Sequence, residues 1–210
     1  LLISILFLLS GIAGLMYQVV WFKHLSYFLG NTTYSQVVVL STFMGGLAIG
    51  SWWWGKKADE SENPLKLAAY LEISIALYCL FYIPIFDGIK IIFIELVKSQ
   101  GWPSDGNMVL SLKFLICSLT LLFPTILMGG TIPILVRYLS NHISDIGKNI
   151  SILYFVNSLG AVFGSILAGF YLIQKIGLTS TVFVGALMDL LVGLVFLWIV
   201  HLSNRKAYNT

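Results

Sequence analysis

The sequence predicts an all-α fold, an integral membrane bundle of six transmembrane helices. Three observations carry this. Of the 210 residues, 58% are hydrophobic and only 10% are charged, whereas soluble domains carry about 25% charged residues. Several apolar runs reach the roughly 20 residues needed to cross a hydrocarbon core of about 30 Å. The charged residues collect between these runs rather than within them, with Lys56, Lys57, Asp59, Glu60 and Glu62 as the densest group.

The first span, 1–25, opens in an apolar run at Leu1, and its polar residues Tyr17, Gln18, Lys23 and His24 gather toward its far end. No basic flank precedes the run, so it reads as a spanning helix rather than a signal peptide. Gly30 and Asn31 mark a turn, since both tolerate unusual backbone angles. The second span, 34–54, carries Gly46 and Gly50 four apart, a spacing that lets a neighbouring helix backbone come close. It ends on Trp52, Trp53 and Trp54, residues favoured at a lipid–water boundary. Gly55, Lys56, Lys57 and Asp59 then read as a cytoplasmic loop.

Pro64 starts the third span, 64–86, because its missing N–H costs nothing in a first helical turn. Residues 87–99 place Ile89, Ile92, Phe93 and Leu96 at helical spacing among Lys90, Glu95 and Lys98, the pattern of a helix lying in the interface. The fourth span, 108–139, is interrupted by Pro124, Gly129, Gly130 and Pro133, and its freed backbone groups need partners from Thr125, Thr131 or neighbouring helices. A polar loop, 141–149, contains His142, Asp145 and Lys148. The fifth span, 150–173, presents Gly160, Gly164 and Ala168 at four-residue spacing, with Asn157 one turn earlier. After a turn at Gln174–Gly177 the sixth span, 178–202, carries Asp189 at its centre. The membrane domain thus covers 1–204, and 205–210 form a cytoplasmic tail.

Six spans leave both ends on one side. That side receives Lys56, Lys57, Lys66, Arg137, Lys148, Arg205 and Lys206, against Lys23, Lys90, Lys98, Lys113 and Lys175 on the other. The excess places both termini in the cytoplasm of a bacterial-type inner membrane.

Glu72 and Asp189 are the two acids deep in apolar runs. An ionised carboxylate there costs about 2.5–3.5 kcal/mol on insertion scales, so each acid is protonated, paired or facing water. A proton-coupled or cation-binding site and a hydrogen-bonded structural role are both open on this evidence. Tyr17, Gln18 and Trp21 group on the first span, with Tyr17 and Trp21 sharing a face that suits either an aromatic belt or a cation-accepting wall. Together with Asn157 these residues make up the candidate intramembrane polar site.

Other chemistries find no support. No basic patch interleaved with aromatics argues for nucleic acid. Cys79 and Cys117 lie in apolar segments without CxxC spacing, and no ligand pattern calls for a metal. There is no GxGxxG, P-loop or GxSxG, so no cofactor and no catalytic residue is assigned.

As a set, FLLSGIAGLMYQVVWFKHL, STFMGGLAIGSWWWGKKAD, LLFPTILMGGTIPILVRYL and LYFVNSLGAVFGSILAGFYLI resemble the fused major-facilitator/spermidine-synthase family, membrane-anchored relatives of polyamine aminopropyltransferases. Each motif is weak alone, but together, in this order, they cover nearly the whole chain. Gly50, Gly55 and Asp59 match the family's pattern after the second helix, itself similar to a loop of major-facilitator transporters. Pro124, Gly129, Thr131 and Pro133 match the fourth helix, and Asn157, Gly160 and Gly164 the fifth. Where the family has Tyr-Glu, this chain has Gln18 after Tyr17, which removes one charge from any shared site.

The resemblance implies half of a major-facilitator-like bundle that anchors a spermidine-synthase-like protein and handles a polyamine or another small cationic metabolite. Many relatives continue into a soluble aminopropyltransferase domain, and no such domain lies within 1–210. The expected partners are the bilayer and a second copy or another membrane subunit. Two other readings fit the same sequence: an accessory subunit of a larger membrane complex, and a transporter half acting as a homodimer.

Overall fold

The structure is a computed structural model that describes residues 2–103, 106–140 and 146–208. Helices account for nearly all of them: α1 (Leu2–Leu29), α2 (Thr32–Glu60), α3 (Pro64–Ser99), α4 (Asn107–Ser140), α5 (Ile146–Ile166), a π-helical turn (Leu167–Leu172) and α6 (Ile173–Tyr208). Five stretches are long and apolar enough to cross a membrane: Leu2–Leu29, Thr32–Glu60, Pro64–Ser99, Asn107–Ser140 and Ile150–Arg205. The surface agrees with a multi-pass membrane protein. Phe155, Phe170, Leu187 and Trp198 are exposed, while Glu72, Thr125, Thr181 and Asp189 are buried, the reverse of a soluble domain.

Local chemistry sets the helix starts. Asn31 caps α2 by accepting from the Tyr34 N–H at 3.1 Å, and Asn63 caps α3 by accepting from the Lys66 N–H at 3.2 Å. Each satisfies an amide that the helix itself leaves free.

The last stretch, 56 residues in Ile150–Arg205, would be about 84 Å long as one straight helix. It is not straight. Gly177 stands at φ 81°, ψ 174°, a conformation closed to residues with a Cβ. Before this break, Gly160 and Gly164 of α5 lie against Leu8 and Ile12 of α1 in the same chain direction. Beyond it, Gly193 of α6 meets Ala69 and Ile73 of α3, and Val200 lies beside Leu65, so α6 runs against α3. The chain therefore reverses around Gly177.

Two seams organise the bundle. In the first, α2 and α4 run parallel, from the Tyr34–Phe114 ring contact to the Asp59–Arg137 pair. Gly46 and Gly50 face Thr125 and Ile126, and Gly129 faces the Leu47 backbone, so closely that a Cβ at any of them would overlap the partner. In the second, α1 runs parallel to α3 through Ser10–Glu72, His24–Phe86 and Phe28–Phe93. Its other side takes the α5 glycines and Ala168. The small residues Gly46, Gly50, Gly160, Gly164 and Ala168 thus serve contacts within the chain.

Several expectations need correction. Residues 87–99 are the last part of α3, not a separate interfacial helix, because Pro84 is accommodated inside α3 and Phe86 and Phe93 continue the packing on Phe28. Gly55, Lys56, Lys57 and Asp59 are the last turns of α2 rather than a loop. Lys56 and Lys57 fall four residues after Trp52 and Trp53 and lie over their rings at 4.1 and 5.6 Å, contacts that only a continued helix supplies. Helix α6 continues to Tyr208, past the apolar stretch that ends at Arg205. The polar loop at 141–149 falls partly outside the described residues, among them His142 and Asp145, as do Ser104, Asp105 and positions 209–210.

Helix α4 is continuous despite its prolines. Pro124 cannot donate to the carbonyl four residues back, that of Thr120. The Tyr78 hydroxyl of α3 donates to that same carbonyl at 2.5 Å. Thr125 Oγ1 and Thr131 Oγ1 donate to carbonyls of the preceding turn.

The α2–α4 seam makes a direct prediction. Gly50→Val inserts a side chain into the α4 backbone and should lower stability by at least about 1–3 kcal/mol, read as a fall in the thermal midpoint in detergent. Gly45, one turn away with open space around it, should accept Ala without loss. Equal midpoints for the two variants would disprove the close contact.

Candidate functional site

Helices α1, α3 and α6 meet around Glu72 and Asp189, which are 0% and 2% exposed. They are 117 positions apart, and the antiparallel course of α3 and α6 brings them to one level. The two carboxyl groups lie within hydrogen-bonding reach of each other. Each also accepts from α1: the Ser10 hydroxyl donates to Glu72 Oε1 at 2.9 Å, and the Tyr17 hydroxyl to Asp189 Oδ2 at 2.8 Å. Ser10 and Tyr17 are seven residues apart, two helical turns on one face.

The other oxygen of each acid, Glu72 Oε2 and Asp189 Oδ1, is buried with no protein donor. Among the described residues no Lys, Arg or His pairs with either acid, and the one ion pair, Arg137–Asp59, lies at the exposed end of α2 and α4. Two adjoining carboxyl groups without a base are unfavourable when both are ionised, because like charges at close range repel strongly in a low-dielectric interior. Such a pair is stable with a proton, or another cation, between its oxygens.

Aromatic rings close the site toward the far end of α1. Tyr17 stacks on Trp21 at 5.7 Å, Trp21 meets Tyr82 at 5.7 Å, and His24 follows between Tyr82 and Phe86. Tyr17, Trp21 and Tyr82 are all fully buried. Cys79 also faces Tyr17 and Asp189.

On the opposite side of α1 a cavity of about 320 Å³ opens between α1, α2, α4 and α5. Ser10, Gly14, Ser51, Thr131 and Asn157 line it. It shares Ser51, Ile132 and Tyr154 with a more open groove of about 500 Å³ that leads to Asp59 and Arg137. This ion pair is 3.9 Å long and its partners are exposed, so it contributes little to stability.

Of the six residues grouped from sequence, four come together: Tyr17, Trp21, Glu72 and Asp189. Gln18 lies elsewhere, beside Gln36 in a separate cavity between α1 and α2. Asn157 is across the α1–α2–α4–α5 cavity from the acids, with its backbone against Gly11. Gly55, Lys56, Lys57 and Asp59 are at the end of α2, and Gly55 touches Pro133 at 3.7 Å. Sequence reasoning missed Ser10 and Cys79. A single hydroxyl inside an apolar run was the available signal for Ser10, and Cys79 looked like an apolar packing residue. Among the described residues no cluster suited to a metal ion is found.

The Tyr17→Phe variant removes a donor from a buried carboxyl group and should destabilise by about 1–3 kcal/mol. In the Asp189→Asn background the same change should cost clearly less. A double-mutant cycle on thermal unfolding in detergent reads the difference, and additive effects would show that the bond contributes nothing.

No family model, curated protein or solved structure matches the chain.

Proposed function

We propose that this chain is the membrane domain of a protein similar to the fused major-facilitator/spermidine-synthase family, and that it handles a small cationic metabolite of the polyamine class. One observation carries the reading: the Glu72–Asp189 pair is buried, lacks a base, and retains two acceptor oxygens without donors. A primary or secondary ammonium group offers both the charge and the N–H donors that these oxygens lack. The neighbouring cavity gives a cation an approach along neutral hydroxyl and amide groups of Ser51, Thr131 and Asn157 as far as Ser10, which hydrogen-bonds to Glu72. No residue is given a catalytic role.

The proposed topology has six crossings, with both termini in the cytoplasm of a bacterial-type inner membrane. The reversal at Gly177 supports it, since it divides Ile150–Arg205 into two antiparallel halves. Transporters of this type enclose their site between two pseudo-symmetric halves, so a second copy of the chain or another membrane subunit completes the pathway.

Radiolabelled spermidine should bind the purified protein, and Glu72→Gln or Asp189→Asn should weaken binding by about tenfold or more, a loss of about 1.4 kcal/mol. Both variants should elute from size exclusion as the wild type does. Binding that is absent, or indifferent to both substitutions, would refute the cation reading.

The topology has its own test. In intact cells Lys175→Cys should react with a membrane-impermeant maleimide, while Lys56→Cys should react only after lysis. Protection of position 175 under both conditions would place it within a span and remove the sixth crossing.

A further inference from the structure

We infer that Ser10 is the relay through which a proton passes between the α1–α2–α4–α5 cavity and the buried Glu72–Asp189 pair. This rests on the reading above in one respect, that the pair holds a proton or exchanges it for a cation.

Among the described residues Ser10 alone both lines the cavity and hydrogen-bonds to the pair. Glu72 itself has no exposed surface, so nothing in the cavity reaches it directly. Gly11 and Gly14 line the cavity wall beside Ser10 and carry no side chains that could cover it. The opposite approach is closed by the buried rings of Tyr17, Trp21 and Tyr82.

A serine hydroxyl has one donor and two acceptor lone pairs. It can therefore donate to Glu72 Oε1 while accepting from water in the cavity. In the relay step the Ser10 O–H proton moves to a Glu72 carboxylate oxygen as a hydronium in the cavity delivers a proton to Oγ and is left as water. One proton enters, one is passed on, and the hydroxyl is regenerated without net charge on the serine. The titratable groups facing the pair are Tyr17 from α1 and Cys79 from α3, and α6 contributes Asp189 itself. None of them reaches the cavity wall.

Infrared spectroscopy of the full chain in lipid nanodiscs, exchanged from water into heavy water, tests the assignment. The wild type should show a protonated-carboxyl band that Glu72→Gln and Asp189→Asn each diminish. Ser10→Ala should keep the band but slow its deuterium exchange by about tenfold or more, as befits loss of a proton-transfer group. Ser10→Thr, which retains the hydroxyl, should restore the wild-type rate. An unchanged rate in Ser10→Ala overturns the relay while leaving spermidine binding to stand or fall in its own assay. Absence of any protonated-carboxyl band removes the shared proton and the relay together. Should Ser10→Ala fail to fold, as judged by size exclusion, Ser10→Gly, which also lacks a proton-transfer group, replaces it and slowed exchange is again required.

Discussion

Hydrocarbon offers no partner to a freed carbonyl or an ionised carboxylate, so such groups inside this bundle draw partners from side chains on neighbouring helices. The Tyr78 hydroxyl meets the Thr120 carbonyl that Pro124 leaves unbonded. Ser10 and Tyr17 of α1 meet the acids of α3 and α6. Because these bonds cross between helices, they set the relative height of α1, α3, α4 and α6, and the apolar packing is built around that setting.

Glycine plays the complementary part. Along the apolar stretches of α2 and α4, and of α1 and α5, backbones approach across Gly46, Gly50 and Gly129, or across Gly160 and Gly164. These contacts depend on dispersion between closely packed atoms, since lipid is as apolar as the side chains it would replace. Polar bonds thus join α1 to α3 and α6, and glycine contacts join α1 to α5 and α2 to α4. Helix α1 belongs to both systems. Its one face carries Ser10 and Tyr17 toward the acids, and Ser10 also borders the cavity.

Much of the fold was legible in the sequence because bilayer thickness ties span length to apolar run length. The apolar runs, the turn at Gly30 and Asn31, the helix start at Pro64 and the break near Gly177 all follow from local residue types. Where the reading failed, a nonlocal contact had overridden a local signal. Charge at Lys56 and Lys57 suggested a loop, but the preceding tryptophans accept those ammonium groups along a continuing helix. Charge among residues 87–99 suggested a separate helix, but Phe93 keeps that segment on α1.

By itself the sequence determined that this is a bundle of membrane-length helices with two acids in its apolar runs, because hydropathy and charge are properties of short segments. Only the tertiary structure decided that Glu72 and Asp189 meet, that Tyr17 and Ser10 bind them, and that Gln18 and Asn157 stand apart. The physical reason is that helix direction and rotation are set by packing among helices distant in sequence. A shift of one turn, about 5.4 Å, would separate the two carboxyl groups.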